Sequence, residues 1–208
     1  MKRILILALT MSLLLSLASM SLAGTAYFDV MTDGEVDRGF YDDDLSQVTI
    51  GLEVPGDTYK FAGSFSNGTI EDNGDDWDTT SLLLKGGYAL INDRKLRLDL
   101  TGGYYYREED YLGYERSYRS LLIGFDSKLK IDPRASIDFN FSYGLAPDMD
   151  SDLYEDDIDS ISIWNLKFNY LFTPKFGGSI GYQSETVDLD KSGKDVYSGF
   201  TIGAFVKF

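Results

Sequence analysis

The chain contains neither cysteine nor histidine among its 208 residues. Without cysteine the chain can form no disulfide, no thiolate metal site and no lipid-modified cysteine. Without histidine it can form no Ser-His-Asp triad, no Cys-His pair and no imidazole-metal centre. Because these absences exclude many common catalytic and metal-binding chemistries, we expect neither an enzyme nor a tightly bound cofactor.

The sequence also contains only one long apolar run. The one such run begins at Ile4 after two basic residues and is followed by the small residues Ser21 and Ala23, the pattern of a secretory signal peptide. An uncleaved membrane anchor is the less favoured alternative, because the run is shorter than the roughly 20 residues that a spanning helix needs. We expect residues 1–23 to be the signal peptide and residues 24–208 to form one exported domain.

The charge is one-sided, with 34 acidic against 19 basic residues and a net charge of −15. This balance argues against a nucleic-acid partner, because nucleic-acid affinity comes from basic side chains that neutralise phosphates. An aromatic content of 14% is nevertheless too high for a disordered acidic tail. The acidic residues must therefore be concentrated in particular segments of a folded chain.

The dominant pattern after the signal is a period of two residues. In ASIDFNFSYGL (135–145), apolar or aromatic residues alternate with Ser, Asp, Asn and Gly. Such alternation is typical of strands with one apolar face, and it recurs often enough to predict ten of them. The predicted strands cover about residues 25–32, 46–54, 58–68, 78–91, 95–107, 117–131, 135–146, 161–172, 175–187 and 196–208.

The connections between these strands alternate between short and long. Short connections near residues 55–58, 92–95, 132–134 and 173–175 are rich in turn-forming residues. The long ones cover roughly residues 33–45, 69–77, 108–116, 147–160 and 188–195, and they hold more than half of the 34 acidic residues. The pattern predicts an up-and-down meander with both termini at the short-turn end and an anionic long-loop end.

Alternation alone does not say which solvent the apolar face meets. A soluble, lipocalin-like barrel turns that face inward, whereas an outer-membrane barrel turns it toward lipid. Aromatic residues near the strand ends, charges of both signs on the opposite face and the difference in loop length favour lipid. A soluble binder is the least favoured interpretation.

With its signal peptide, ten meandering strands and final aromatic Phe208, the chain resembles the small bacterial outer-membrane β-barrel proteins of the porin-like class. The resemblance implies an all-β fold, a closed antiparallel up-and-down transmembrane barrel of ten strands, with eight or twelve as alternatives. It also implies an outer-membrane location, periplasmic termini, extracellular loops, and contact with lipid and lipopolysaccharide. The protease, lipase and acyltransferase sites of this class rely on histidine and cannot be carried over.

The last strand carries the most specific expectation of that resemblance. In the class, a terminal strand of alternating outward residues is recognised by the barrel-assembly machinery, which would be a partner during folding. The corresponding residues here are Phe200, Ile202, Ala204, Val206 and Phe208.

The opposite, inward face carries charges. One interpretation is a narrow channel for small solutes, and the alternative is a paired charge network inside a non-conducting structural or surface-interaction barrel. The predicted lumen-lining residues are Lys60, Lys85, Arg97, Asp99, Arg107, Asp126, Lys128, Asp138, Lys167 and Glu185.

The most acidic loop, residues 147–160, begins with a D-x-D-x-D pattern that suggests weak Ca²⁺ or Mg²⁺ binding. It does not fit an EF-hand, because Leu153 stands where that loop requires glycine. A solvated anionic loop is the simpler interpretation. The candidate metal ligands are Asp148, Asp150, Asp152, Asp156 and Asp159.

Overall fold

The computed structural model describes residues 23–39, 42–72, 75–111, 113–151 and 157–208, which form ten β-strands. Of the predicted signal peptide, all but residue 23 lies outside these ranges. No helix within the described ranges is long and apolar enough to cross a membrane. The strands are β1 Thr25–Asp37, β2 Asp42–Pro55, β3 Tyr59–Asp72, β4 Asp75–Asn92, β5 Leu96–Tyr111, β6 Tyr114–Lys130, β7 Ala135–Ser151, β8 Ile158–Leu171, β9 Phe176–Leu189 and β10 Gly193–Lys207.

Antiparallel pairing of every strand with the next, and of β1 with β10, closes the sheet into a barrel. At the seam Thr25 lies opposite Lys207. The backbone N–H of Gly24 donates to the Phe208 oxygen, and the N–H of Phe208 donates to the Gly24 oxygen, each at 3.0 Å. The predicted ten-stranded, closed, up-and-down barrel is confirmed, and the two ends of the domain meet at its short-turn end. Closure leaves no unpaired strand edge, which is the requirement for a sheet in lipid.

Two of the short turns are held by aspartate side chains. The carboxylate of Asp93 accepts hydrogen bonds from the backbone N–H groups of Lys95 and Leu96, both at 2.7 Å. Asp132 accepts from Arg134 and Ala135 in the same way, at 2.6 and 2.8 Å. These local bonds fix where each hairpin reverses.

The strands run further at the long-loop end than the sequence predicts. β1 extends to Asp37 rather than residue 32, and β7 extends to Ser151 rather than residue 146. The physical reason is that inward apolar side chains continue there, since Val36 is completely buried, and that backbone pairing continues as far as Arg116 opposite Ser151. Parts of the segments predicted as acidic loops are therefore strand, and they lengthen the barrel at this end.

The outer face is apolar over most of its height. Ile180 and Phe200 are 60% and 71% exposed, and many other Leu, Ile, Phe and Tyr side chains share this surface. Aromatic pairs lie near its two margins: Phe172 packs on Phe176 with ring centroids 5.9 Å apart, and Tyr182 packs on Phe200 at 5.2 Å. We call this zone the apolar belt. A water-soluble barrel has the opposite arrangement, with its apolar residues turned inward.

The apolar belt ends at the loop side with the first outward charges. Tyr106 lies opposite Arg119, and Arg119 lies opposite Asp148. The guanidinium Nε of Arg119 donates to the Asp148 carboxylate at 2.6 Å, with both side chains more than half exposed. Residues beyond this level, including Glu108 and Glu109, therefore lie outside the belt.

Candidate functional site

The lumen is the candidate site, and its turn-end half is filled by ion pairs. The Lys60 ammonium lies 3.2 Å from Glu53 and 2.9 Å from Asp126, and the Lys85 ammonium contacts the same Asp126. Successive side chains of a strand point to opposite faces of the sheet, and these charged side chains lie on the inner face. Asp126 thus neutralises part of the charge of two lysines from neighbouring strands.

Further pairs complete this half. Lys128 lies 2.9 Å from Asp138 on the adjacent strand. Lys167 donates to Asp29 at 2.5 Å, joining β8 to β1 across the interior. Arg97 pairs with Asp99 at 2.8 Å and donates to a backbone oxygen in the β2–β3 turn at 2.7 Å.

The loop-end half contains a second network built on arginine. Arg107 lies 2.7 Å from Glu185 and 3.2 Å from Glu109, and the Tyr105 hydroxyl donates to Glu185 at 2.6 Å. Arg116 lies 2.5 Å from Glu109. The arrangement places Glu109 between two buried guanidinium groups.

A residue outside the strands joins this network. Arg38, just beyond the end of β1, places its guanidinium carbon 4.4 Å from the centre of the Trp77 ring. Its nitrogens lie 3.3 Å from Asp43 and 3.7 Å from Glu109. The β1–β2 connection is thereby attached to the interior of the barrel mouth.

These charges hold the pKa of the Glu109 carboxyl at about 2, below its usual range. Burial of the carboxyl opposes this shift, and the positive charges of Arg116, Arg107 and Arg38 outweigh it. Glu109 therefore remains ionised and acts as the anionic centre of the network.

Apolar side chains fill the space around the arginine network. Tyr118, Ile161 and Val187 lie at inward positions and are completely buried. At the loop end the barrel is therefore apolar inside as well as outside. We call the group the loop-end plug. Its members are Met31, Val36, Leu45, Ile70, Trp77, Tyr105, Tyr118, Leu122, Ile158, Ile161, Val187, Leu189 and Tyr197.

Inward glycines do not leave open space. An added Cβ at Gly51 would lie 2.1 Å from the ring of Tyr27, which occupies the room that the glycine provides. At Gly124 the added atom would lie 2.0 Å from the backbone oxygen of Phe141. These glycines permit close packing inside the barrel, and they are not gaps along a passage.

Two cavities remain in the described part of the lumen. The first, about 150 Å³, lies at the turn end, and the second, about 100 Å³, lies further inside. Tyr27, Asn165 and Lys167 line both cavities. The second cavity ends against plug residues such as Leu45 and Tyr105. Neither cavity is lined by residues of the mouth beyond the plug.

All ten residues predicted to line the lumen lie on the inner face, and each takes part in an ion pair. Their role in an open pore stays a prediction. The sequence interpretation missed Arg38, Glu109, Arg116 and Asp195, which it assigned to loops. Asp195 belongs to the arginine network because it lies 2.9 Å from Arg116. The signal that could have found three of them is continued alternation: Arg107 and Glu109 stand two residues apart, as do Arg116 and Tyr118 and also Asp195 and Tyr197.

The five residues of the predicted assembly signal lie on the outer face of β10 and at the residue after it. Phe200 and Ile202 are 71% and 70% exposed, and Phe208 is 38% exposed. Recognition of these residues by the assembly machinery stays a prediction.

The candidate metal ligands are only partly described. Asp152 and Asp156 lie outside the described residues. Asp148 is paired with Arg119, and Asp150 and Asp159 are exposed. Within the described ranges no three acidic residues are grouped in a way that could hold a metal ion.

No protein-family model and no curated protein sequence matches the chain. Among solved structures, the chain is similar to the outer membrane protease OmpT from Escherichia coli, with 10% identity, 90% of this chain and 94% of that chain covered, and a TM-score of 0.57. It also matches Neisserial surface protein A (11% identity, 90% and 97% covered, TM-score 0.49). An outer membrane channel from Pseudomonas putida F1 matches at 14% identity, with 89% and 94% covered and a TM-score of 0.47. At these identities the likeness concerns the fold alone, which is that of outer-membrane β-barrel proteins.

Proposed function

We propose that the protein is a non-conducting barrel of the bacterial outer membrane that acts through its loop-end surface. The observation that carries the proposal is the loop-end plug, in which buried apolar side chains and the arginine network occupy the lumen. A water-filled channel needs lumen residues that contact solvent, whereas Arg107 and Glu109 are 2% and 1% exposed. The apolar belt supports the membrane location, because its exposed area would be unfavourable in water.

The proposed orientation follows the class that the chain resembles. The termini and short turns would face the periplasm, and the acidic loop end would be extracellular, in contact with lipopolysaccharide at the level of Arg119. Weak Ca²⁺ or Mg²⁺ binding by the loops is part of the proposal, because close carboxylates repel one another until they are screened. No enzymatic activity is proposed.

The second candidate is a narrow channel for small solutes. It is favoured by the two polar cavities, which occupy the lumen on the turn-end side of the plug. Conduction would then require the plug to move. A liposome experiment distinguishes the non-conducting barrel from the narrow channel.

The test is solute entry into liposomes that contain the folded protein. The wild type should give no swelling in small sugars or amino acids, because the plug closes the lumen. The variant Tyr118→Ala/Tyr197→Ala removes two buried plug rings and should allow swelling. The control Tyr104→Ala/Tyr182→Ala removes two tyrosines from the outer face and should behave like the wild type.

Swelling with the wild type would overturn the closed barrel and support the channel.

Protease treatment of intact cells tests the orientation, since cleavage should fall in the long loops and spare the short turns. The cation component is tested by the thermal midpoint, which should be higher in Ca²⁺ than in EDTA. Equal thermal midpoints in Ca²⁺ and in EDTA would contradict cation binding by the loops.

A further inference from the structure

The turn-end cavity is large enough for a small molecule. Its volume of about 150 Å³ is about ten times the minimum that one ordered water molecule needs. It is smaller than the roughly 300–1,000 Å³ of pockets that hold drug-sized ligands. Its lining combines inner-face residues of β1, β2, β6, β7, β8, β9 and β10 with the β6–β7 turn. We call it the turn-end cavity below.

Three of the four carboxylates that line this cavity are paired with lysines. Asp29 pairs with Lys167 at 2.5 Å, Asp138 pairs with Lys128 at 2.9 Å, and Glu53 pairs with Lys60 at 3.2 Å. Asp132 accepts the two backbone hydrogen bonds of its turn. Asp132 is thus the one acidic side chain of the lining without an ion pair to a described residue, and it sets a single carboxylate against the cations of the opening.

Three cationic side chains of the lining lack such a partner. Lys130, Arg134 and Lys207 line the cavity, and none of them forms an ion pair with any residue that the structure describes. Lys130 and Lys207 extend from the ends of β6 and β10, and Arg134 extends from the β6–β7 turn. The opening of the cavity therefore carries excess positive charge, although the whole chain is strongly acidic.

An independent observation concerns an amide inside the cavity. Asn169 lines it, and its buried Nδ2 group has no hydrogen-bond acceptor among the described residues. The neighbouring Asn140 and Asn165 satisfy each other by an Nδ2-to-Oδ1 bond of 2.7 Å. A buried donor without an acceptor is costly, so an oxygen acceptor in the cavity would stabilise this amide once a rotation of the Asn169 side chain turns Nδ2 toward the cavity.

We propose that the turn-end cavity binds a small, water-soluble anion with several oxygen acceptors, of the size of inorganic phosphate or a short dicarboxylate. The lining groups that lack an ion-pair or hydrogen-bond partner are cations and an amide donor. Groups of this kind bind an anion whose oxygen atoms accept hydrogen bonds. The lining belongs to the inner face, so the ligand reaches the cavity from the aqueous phase and a lipid headgroup does not. The proposal does not depend on whether the barrel conducts.

The test is a titration of the folded barrel, held in an uncharged sugar detergent at low salt, with inorganic phosphate and separately with succinate. Binding is followed by calorimetry and by backbone amide shifts at Lys130, Asn169 and Lys207. The variant Lys130→Gln/Lys207→Gln should weaken binding roughly tenfold or more, because it removes two charge-assisted contacts. Asn169→Asp should also weaken it, because it replaces the donor by a negative charge.

The matched control is Lys95→Gln/Lys175→Gln. It removes the same charge from the same end of the barrel, at exposed turn lysines that do not line the cavity. This control should bind like the wild type, and both lysine variants should fold, since each replaces solvent-accessible side chains.

Equal weakening in the control and the cavity variant would overturn the site, because it would reduce the binding to general charge attraction. Absence of saturable binding to either anion by the wild type would also overturn it. Neither result bears on the liposome experiment, so the two proposals fail separately.

Discussion

At the scale of single residues, the lumen is organised by charge neutralisation. A buried charge is tolerated when a partner and further hydrogen bonds replace water. Glu109 shows this most clearly, because it lies 2.5 Å from Arg116 and 3.2 Å from Arg107, and its exposure is 1%. Removal of this one carboxylate would take from Arg107, Arg116 and Arg38 the anion that all three share.

The substitution Glu109→Gln should therefore lower the free energy of unfolding by about 3 kcal/mol, the scale for breaking a buried ion pair. The matched control is Glu108→Gln, at the adjacent outward position, where the carboxylate accepts a hydrogen bond from Tyr106. We expect the control to change stability by less than about 1 kcal/mol. Urea unfolding of the refolded barrel in lipid vesicles measures both values, and equal effects would contradict the assigned role of Glu109.

The same carboxyl predicts a pH dependence. Because its folded pKa of about 2 lies below the usual value, the unfolded chain takes up the proton first as the pH falls. The stabilisation by Glu109 is complete above its unfolded pKa and is lost as the pH falls toward its folded pKa. The stability gap between wild type and Glu109→Gln should be constant from neutral pH to about pH 5 and should narrow below that. Unfolding curves at several pH values check this, and a gap that is unchanged at the lowest pH would contradict it.

At the scale of strands and turns, most of the fold could be predicted from the sequence. Period-two alternation fixes the strand number, and local chemistry fixes the short turns, as the Asp93 and Asp132 hydrogen bonds show. The loop-side ends of the strands could not be placed, because acidic residues such as Glu109 indicate a loop when the sequence of one strand is considered alone. Arg107 precedes Glu109 by two residues on β5, whereas Arg116 reaches Glu109 through the register of β5 and β6, which places the two residues opposite each other.

Close strand packing predicts a contrast between two glycines. Gly124→Ala should destabilise the barrel by about 1–3 kcal/mol, because the new Cβ would meet the Phe141 backbone oxygen, which a side-chain rotation cannot remove. Gly86→Ala should be nearly neutral, since its nearest neighbour would be a Phe61 ring atom at 3.9 Å. The urea midpoints of the two variants test this, and a Gly124→Ala midpoint equal to that of the wild type would refute it.

The closing strand predicts an effect on assembly. Deletion of Phe208 removes the aromatic residue that packs over Gly24 and forms two backbone hydrogen bonds with it. We expect less folded barrel in the membrane fraction, measured as the heat-modifiable band on gels. The control Phe172→Ala removes another exposed aromatic residue from the same margin of the belt and should keep normal levels. Normal levels after Phe208 deletion would contradict the assembly role.

At the scale of the whole molecule, the barrel has two unlike halves. The turn-end half holds lysine-carboxylate pairs and the first cavity, whereas the loop-end half holds the arginine network and the plug. The second cavity lies between the two halves and is lined by residues of both. The inward charges were visible in the sequence, which left an open channel and a filled, non-conducting lumen as alternatives. Closure depends on which inward side chains meet across the barrel, such as Tyr105 on β5 and Glu185 on β9, and alternation along one strand does not specify those contacts.

The most direct test of the closed lumen is the ionic current through the wild-type barrel in a planar lipid bilayer. The protein is first shown to be folded by its gel mobility, and it is then recorded at both voltage polarities in high salt. The account predicts a flat trace with no discrete steps, because the loop-end plug leaves no continuous aqueous path. Reproducible single-channel steps from the folded wild type would contradict it.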